Sequence, residues 1–318
     1  MKRLALALLA LASLAVPAAA QDWPSRPVRI VSTFPPGGAA DILARIAAEH
    51  LSGVFKQQFF VENRAGAGGV IGMQTVAHAE PDGYTFVQTS LSNAVLIPMI
   101  SKKVGYQTDD LTHIALIAGT PVLFAVSKQS DIKTLADLVA KARSRTVPLS
   151  YGTSGSPSVG QLVALVFGEQ AKLTFNNIPY KGASQSLIDI VANQIDFGTP
   201  TVTSAAGQLR GGGLTPLAVS TAERMPDYPE IPTFRELGYD VVATNWFGLA
   251  GPARLPADIV NKVNREVMAV MTKPASQERM RKDGMVIYSM DAPAYRKFID
   301  EEIARWRPVA EKSGMMEK

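Results

Sequence analysis

Four short stretches of the sequence are rich in small and hydroxyl-bearing residues, and their chemistry suits an anion. They cover Phe34 to Ala40, Thr89 to Asn93, Gly152 to Ser158 and Thr199 to Ser204. Their glycines leave backbone N–H groups accessible, and their serines and threonines supply hydroxyls. Any one stretch is better explained as a tight turn, because glycine and serine are ordinary turn residues. Four stretches at equivalent places favour a binding site.

Patterns that would indicate catalysis are incomplete. The run from Gly152 to Ser156 is similar to a nucleophile elbow, but the glycine two residues after Ser154 is missing. The pair Gly66 and Gly68 lacks the third glycine of a dinucleotide-binding loop. We therefore predict no enzyme activity and no cofactor, and a secreted hydrolase using Ser154 remains the alternative.

Metal and thiol chemistry have few candidate residues. The chain has no cysteine and three histidines, His50, His78 and His113, which lie far apart in sequence. Short-range metal-ligand spacing is therefore missing, and each histidine is predicted to be a surface or capping residue. Asp41 falls in a predicted first helical turn, where a carboxylate complements the helix dipole. It would repel an anion unless it orders the loop or meets an ammonium group.

The composition and charge of the chain exclude several further classes of protein. The chain has 318 residues, of which 47% are apolar and 19% charged, so it is long enough for two folded domains and too apolar to be disordered. Its net charge of +4 falls to +2 when the basic N-terminal residues Lys2 and Arg3 are excluded. No basic run with interleaved aromatics occurs, so we predict no nucleic-acid partner.

The first 20 residues are typical of a secretory signal peptide. Lys2 and Arg3 precede the apolar run Leu4 to Val16, and a small-residue site ends at Ala20. The apolar run is too short for a membrane span of about 20 residues. We predict cleavage near Ala20 and export of the mature chain.

The elements that must position these stretches alternate between strands and helices. Each small-residue stretch follows a predicted strand and precedes a predicted helix, which is where ligands bind in open α/β sheets. The apolar strands predict parallel sheets in an α/β protein. A helix is also expected after the prolines at positions 226, 229 and 232, and Thr134 with Asp137 predicts a capping box.

Several motifs closely resemble the Bug family, the extracytoplasmic solute receptors of tripartite tricarboxylate transporters. The resemblance covers essentially the whole mature chain. It rests on these segments: 22–31 (DWPSRPVRIV), 34–41 (FPPGGAAD), 61–69 (VENRAGAGG), 81–85 (PDGYT), 179–182 (PYKG) and 217–220 (LAVS).

The resemblance implies a two-domain periplasmic binding protein with the flytrap fold. Each domain would be an α/β sheet flanked by helices, with the ligand cleft between the domains. We expect domain I to be discontinuous, covering 21–120 and 224–318, and domain II to cover 121–223. Two departures affect the ligand's far end: Gln161 stands where many relatives have histidine, and 198–201 replaces an often acidic segment.

These considerations predict a set of ligand-binding residues and no metal ligand. Backbone N–H groups of Gly37 to Ala39 are expected to hold a carboxylate, and serine and threonine hydroxyls to set specificity. The predicted contacts are Phe34, Pro36, Gly37, Gly38, Ala39, Asp41, Thr89, Ser90, Ser92, Asn93, Thr153, Ser154, Ser156, Ser158, Lys181, Gly182, Thr199 and Thr201.

The function that we predict is capture without turnover. The resemblance implies a periplasmic receptor that binds a small carboxylate (a di- or tricarboxylate, an aromatic acid or an acidic amino acid). It also implies delivery of the ligand to integral-membrane permease subunits. A carboxylate-sensing binding protein without a transport role is a further alternative.

Overall fold

The computed structural model describes residues 22–316, except for the side chain of Lys102. The predicted signal peptide therefore lies outside the described residues. Within them the chain forms these strands: β1 Val28–Ser32, β2 Phe59–Asn63, β3 Thr85–Ser90, β4 Leu111–Pro121, β5 Leu123–Ser127, β6 Ser150–Thr153, β7 Asn176–Pro179, β8 Phe197–Gly198, β9 Leu214–Val219, β10 Thr244–Pro252 and β11 Val286–Met290.

Helices connect most of these strands. The α-helices are α1 Ala39–Phe55, α2 Val70–Ala77, α3 Ile97–Ile100, α4 Leu135–Ser144, α5 Val159–Ala171, α6 Ala183–Val191, α7 Val202–Arg210, α8 Ala257–Met271, α9 Pro274–Lys282 and α10 Ala292–Lys312. A π-helical turn, Ser92–Leu96, precedes α3. The predicted capping box is confirmed, because the Thr134 side chain accepts from the Asp137 N–H and Asp137 accepts from the Thr134 N–H at the start of α4.

The strands form two sheets. The first has the order β11-β4-β10-β3-β1-β2, and the second has the order β7-β6-β8-β5-β9. Strands of the first sheet thus come from both ends of the described chain, and strands of the second come from 123–219. The predicted α/β class with two sheets is confirmed. The exact domain boundaries stay a prediction.

The prediction of parallel sheets is wrong for both, since each sheet is mixed. In the first, β1 is parallel to β2 and β3, but β10 is antiparallel to β3 and β4. In the second, β6 is parallel to β7 and β8, but β5 is antiparallel to β8 and β9. Strands β5 and β10 are the ones by which the chain enters one sheet from the other, and both run antiparallel to their neighbours. Strand β11 is also antiparallel, to β4, at the outer edge of the first sheet.

This topology brings the carboxyl ends of both sets of parallel strands together. Strand β4 leaves the first sheet at the edge where β1 and β3 end, and β5 enters the second sheet two residues later. Because β5 is antiparallel to β8, that entry lies where β6 and β8 end. We call this meeting place the junction.

Ser220 ties the two chain crossings of the junction to each other. Its buried hydroxyl donates to the Ala243 carbonyl (2.6 Å) and accepts from the Val122 N–H (2.9 Å). Its backbone N–H also donates to the Val122 carbonyl, and the Ala243 N–H donates to the Ser220 carbonyl. The outgoing and returning segments are therefore held as one unit between the sheets.

Helices cover both faces of the first sheet. On one face, α1 and α8 bury Leu43, Val263 and Val267 completely. On the other face, α10 packs against Trp246, whose indole N–H donates to the buried Glu302 carboxylate (2.9 Å). Each fully buried aliphatic side chain contributes about 1.5–3 kcal/mol. These contacts hold the last long helix of the chain on the sheet that contains its first strand.

Two element predictions are wrong. The helix expected after the prolines is a series of turns at 234–238, tied by hydrogen bonds such as that from the Tyr239 N–H to the Phe234 carbonyl. Strand β11 was not predicted, because its half-exposed side chains lack a clear apolar alternation.

Among residues 22–316, no helix has the length and apolar content needed to cross a membrane.

Candidate functional site

All four predicted small-residue stretches lie at the junction. The stretches after β1 and β3 leave the first sheet there, and those after β6 and β8 leave the second. Their predicted boundaries need adjustment, because Thr89 and Ser90 end β3 and Gly152 and Thr153 end β6. The shift arises because small polar residues continue a buried strand when neighbouring strands pair with them.

Helix α1 begins at the junction without a side-chain cap. Gly38 is its N-cap, in extended conformation (φ −83°, ψ 170°), and has no side chain to accept from the first turn. The first helical hydrogen bond runs from the Ile42 N–H to the Gly38 carbonyl (3.0 Å). Earlier N–H groups of the helix therefore remain for another acceptor, and together with the dipole they favour an anion.

Asp41 is buried and orders the loop before α1. Its carboxylate forms a two-pronged ion pair with Arg45 (2.8 and 3.0 Å) and accepts from the Gly37 N–H (3.1 Å) and the Asn63 amide (2.8 Å). Asn63 also donates to the Phe34 carbonyl (3.1 Å). Burial acts to raise the pKa of Asp41, but the bonds from Arg45, Asn63 and Gly37 outweigh it and lower the pKa.

The Asp41 network changes which groups can meet a ligand. The Gly37 N–H is already used by Asp41, and the positive φ of Gly37 (88°) allows that turn. Of the three N–H groups predicted to hold a carboxylate, those of Gly38 and Ala39 are left. The charge of Asp41 is matched by Arg45, so it need not repel an anion.

We expect Asp41→Ala to weaken ligand binding about tenfold and to lower the free energy of unfolding by about 2 kcal/mol. The substitution leaves the Gly37 N–H and the Asn63 amide without their acceptor, and the loop loses three anchors. Urea unfolding and calorimetric titration measure the two effects. Asp41→Asn is the matched control, because its amide oxygen can still accept from the Gly37 N–H while the negative charge and the ion pair with Arg45 are lost. Binding by Asp41→Asn as weak as by Asp41→Ala would contradict a loop-ordering role through the Gly37 anchor.

The end of β3 brings a compact polar cluster to the junction. Asn93 accepts from the Ser90 N–H (2.7 Å) and donates to Thr33 Oγ1 (2.9 Å), which places the ends of β1 and β3 in contact. Ser92 begins the π-helical turn, and only a small fraction of this residue is exposed to solvent. Thr89 points to the opposite face, where its hydroxyl pairs with the Tyr295 hydroxyl (2.7 Å) in the core. Ser90, Ser92 and Asn93 thus lie together, and Thr89 lies apart from them.

In the second sheet, the ends of β6 and β8 are locked to each other. Thr199 bonds the Gly152 carbonyl through its N–H (3.0 Å) and its hydroxyl (3.3 Å). Thr153 is buried, and its hydroxyl donates within the loop to the Gly155 carbonyl (2.8 Å). A Cβ atom on Gly160 would lie 2.3 Å from Thr199 Oγ1, so only glycine fits there. These two threonines shape the floor of the second half of the junction.

The loop between β6 and α5 presents the exposed hydroxyls. Ser154 and Ser156 are exposed, and the Ser156 hydroxyl donates to Gln161 Oε1 (2.8 Å). Ser158 is the N-cap of α5 and accepts from the Gln161 N–H. Gln161 therefore faces this loop and keeps its amide N–H groups as donors.

The remaining predicted residues lie at the starts of α6 and α7. Gly182 is the N-cap of α6 and makes no side-chain cap, like Gly38 on the other sheet. Lys181 is exposed, and its backbone N–H donates to Gln185. Thr201 is the N-cap of α7, so its hydroxyl is engaged with Ser204. Pro36 is exposed at the tip of the loop that Phe34 begins.

The histidines lie away from Ser154. His50 pairs with Glu266 (3.3 Å), and His78 ends α2 as its C-cap, as predicted for a capping residue. The prediction of a surface or capping role is wrong for His113, which is buried on β4 with its ring against Tyr295. In the described part of the chain, no histidine is hydrogen-bonded to Ser154, so the hydrolase alternative gains no support. No three His, Asp or Glu side chains among residues 22–316 are grouped as metal ligands.

Two residues that organise the site were not among the predicted contacts. The Thr33 hydroxyl accepts from the Asn93 amide. Asn63 lies within the family-like segment 61–69, and its amide joins Asp41 to the Phe34 carbonyl. A polar residue immediately after an apolar strand is the signal that could have identified both.

Comparison with known proteins decides the family. A family model described as "Tripartite tricarboxylate transporter family receptor" matches residues 43–315. The chain belongs to this family. Protein BugT of Bordetella pertussis is 30% identical over 312 residues, which cover 96% of this chain and 95% of BugT. The resemblance to the Bug receptors is confirmed.

Solved structures of the family share the fold. R. palustris Rpa4515 with adipate has a TM-score of 0.87 and 32% identity, covering 92% of this chain and 99% of that one. MatC (Rpa3494) from Rhodopseudomonas palustris with bound malate has a TM-score of 0.82 and 29% identity, covering 90% of this chain and 99% of that one. The predicted two-domain periplasmic-binding-protein fold is confirmed, and the protein is a periplasmic solute-binding receptor of the Bug type.

Proposed function

We propose that this receptor captures a small carboxylate at the junction and delivers it to membrane permease subunits of a tripartite transporter. The observation that carries the proposal is the start of α1. Gly38 leaves the first-turn N–H groups without a side-chain acceptor, and the negative charge of Asp41 is balanced by the positive charge of Arg45. A carboxylate is the natural acceptor for such a site.

The other half of the junction supports a ligand held from two sides. Gly182, the N-cap of α6, also lacks a side-chain cap. Ser154 and Ser156 lie in the loop that directly follows β6, and both are exposed. Contacts that form only when the two halves approach would supply the free energy for closure. Ser220 and its partners at the two crossings would then flex as the hinge.

The carboxylate class is supported by the family. The relatives Rpa4515 and MatC were solved with adipate and malate, which are both dicarboxylates. The permease partner follows from the family description, which names a transporter receptor. We infer a periplasmic location for the mature chain from the same family, with the predicted signal peptide as the export signal.

Thermal unfolding with a panel of acids tests the proposal. The panel contains adipate, malate, citrate, benzoate, aspartate and glutamate. A bound acid at 100 times its Kd adds about 2.7 kcal/mol to the stability, which raises Tm by about 5 °C or more. We expect at least one acid to give this shift. No shift with any acid would contradict the proposal, and loss of uptake of the bound acid on deleting the gene would support the transport role.

A further inference from the structure

Asn245, near the start of β10, carries an unexplained buried acceptor. Its side-chain Oδ1 is out of contact with solvent and has no hydrogen-bond partner in the described part of the chain. The residue as a whole is half-buried. A buried polar atom without a partner destabilises the native state, and native proteins leave few of them. Asn245 is not among the site residues predicted from the sequence.

The strand register fixes the face on which Asn245 lies. Asn245 is opposite Thr120 on β4, and Phe247 is opposite both Ala118 on β4 and Ser90 on β3. Opposite residues of an antiparallel pair share a face, and so do alternate residues along a strand. The side chains of Asn245, Thr120 and Ser90 therefore lie on one face of the first sheet.

That face is the one covered by α1. Phe247 packs in the same buried cluster as Ala40, with Phe34 and Ala39 at its edge. Trp246, the next residue after Asn245, belongs to the opposite face with Glu302. Asn245 thus lies just beyond Phe247, on the side of the sheet where α1 and its loop begin.

The second sheet reaches the same place through α7. The Thr120 hydroxyl accepts from the Thr203 N–H (3.2 Å), and the two hydroxyls of these threonines are 2.9 Å apart. Thr120 is the direct cross-strand partner of Asn245. Asn245 therefore lies where the α1 side of the first sheet, the end of β3 and the start of α7 meet.

We propose that Asn245 contacts the ligand at the floor of the junction and accepts a hydrogen bond from it. This inference rests on the proposed function. The helix N-terminus and the hydroxyls supply donors for a carboxylate, whereas Oδ1 of Asn245 requires a donor. The bound acid then carries a hydroxyl or ammonium group besides its carboxylate. Asn245 selects such acids over the plain acid of the same carbon skeleton.

Matched acids test the proposal by calorimetric titration of the mature protein. The series are succinate, malate and aspartate; tricarballylate and citrate; and phenylacetate, mandelate and phenylglycine. In the series that binds, the wild type is expected to prefer the hydroxy or amino member by about tenfold, since that member makes one more hydrogen bond and the plain acid leaves a buried acceptor unpaired. The member that binds more tightly distinguishes a hydroxyl from an ammonium donor.

The variants Asn245→Leu and Asn245→Ala are expected to lose this preference and to bind the plain acid as the wild type does. Asn176→Ala is the control, because Asn176 is an exposed asparagine at the opposite end of the parallel strands. Thermal stability should be unchanged or raised in Asn245→Leu, since it removes an unpaired buried acceptor. A purely structural Asn245 would instead lose stability and weaken all acids equally.

Several outcomes overturn the inference. An unchanged preference in both variants, or a wild type that prefers the plain acid, contradicts a role for Asn245 in selection while leaving carboxylate capture intact. Binding that is confined to plain acids of the thermal panel, such as adipate or benzoate, contradicts the inference alone. Failure of the wild type to bind any acid of the three series or of the thermal panel contradicts the proposed function itself, and the inference with it.

Discussion

Replacing Gly38 by aspartate is expected to weaken carboxylate binding at least 100-fold while leaving the protein as stable or more stable. Gly38 has extended backbone geometry that suits any residue, and a Cβ atom there would meet no atom within 4 Å. Aspartate is a preferred N-cap, so its carboxylate would accept from the first turn of α1 and add a few tenths to 1 kcal/mol. It would also place a negative charge where the ligand's carboxylate binds, and like charges at one site cost several kcal/mol.

The control for this variant is Gly38→Ala. Alanine adds the Cβ atom without an acceptor, so binding should remain within a few-fold of the wild type. Calorimetric titration gives the affinities, and thermal unfolding gives the stabilities. A Gly38→Asp variant that binds acids as tightly as the wild type would show that the α1 N-terminus is not the carboxylate site.

The stability of the protein is expected to fall by roughly 3 kcal/mol between pH 6.5 and pH 4 because of one buried histidine. Burial, with a smaller effect from the Arg296 charge, lowers the pKa of His113 to about 4. Asp109 and Asp300, which pair with Arg296, act in the opposite direction. The unfolded chain binds a proton at its ordinary pKa near 6.5, whereas the native state stays neutral until about pH 4. The unfolded state therefore binds more protons in this window, and acid destabilises the fold.

His113→Phe isolates this contribution, since phenylalanine keeps a ring against Tyr295 and cannot titrate. Urea unfolding is measured for both proteins from pH 7.5 to pH 4. The difference in the free energy of unfolding should be constant above pH 6.5 and should shift in favour of the variant as the pH falls. A difference that does not change with pH would mean that His113 titrates equally in both states.

Local signals in the sequence predicted much of the fold because they describe local physics. The helical spacing after Asp41 and the capping residues Thr134 and Asp137 are satisfied within a few residues of the chain, and α1 and α4 form where expected. Strand direction is different. Nothing within β5 or β10 specifies that they run antiparallel to β8 or β3, because direction follows from how the chain crosses between the sheets.

The candidate site was predictable by place more than by individual contact. The four small-residue stretches were expected to follow strands, and they do follow β1, β3, β6 and β8, whose ends meet at the junction. The same pattern did not indicate that the hydroxyls of Thr89 and Thr201 pair with Tyr295 and Ser204. Those pairings depend on packing between distant segments. Asn245 was not predicted for a related reason, because nothing in the sequence around Trp246 indicates that this asparagine lies at the junction.

The central claim is that the junction binds a small carboxylate and leaves it unchanged. Its most direct measurement is a calorimetric titration of the mature protein with the acid that most raises Tm, followed by quantification of the acid recovered. We predict saturable binding of one acid per chain and full recovery of the unaltered acid. Absence of saturable binding, or steady conversion of the acid to a product, would contradict the account.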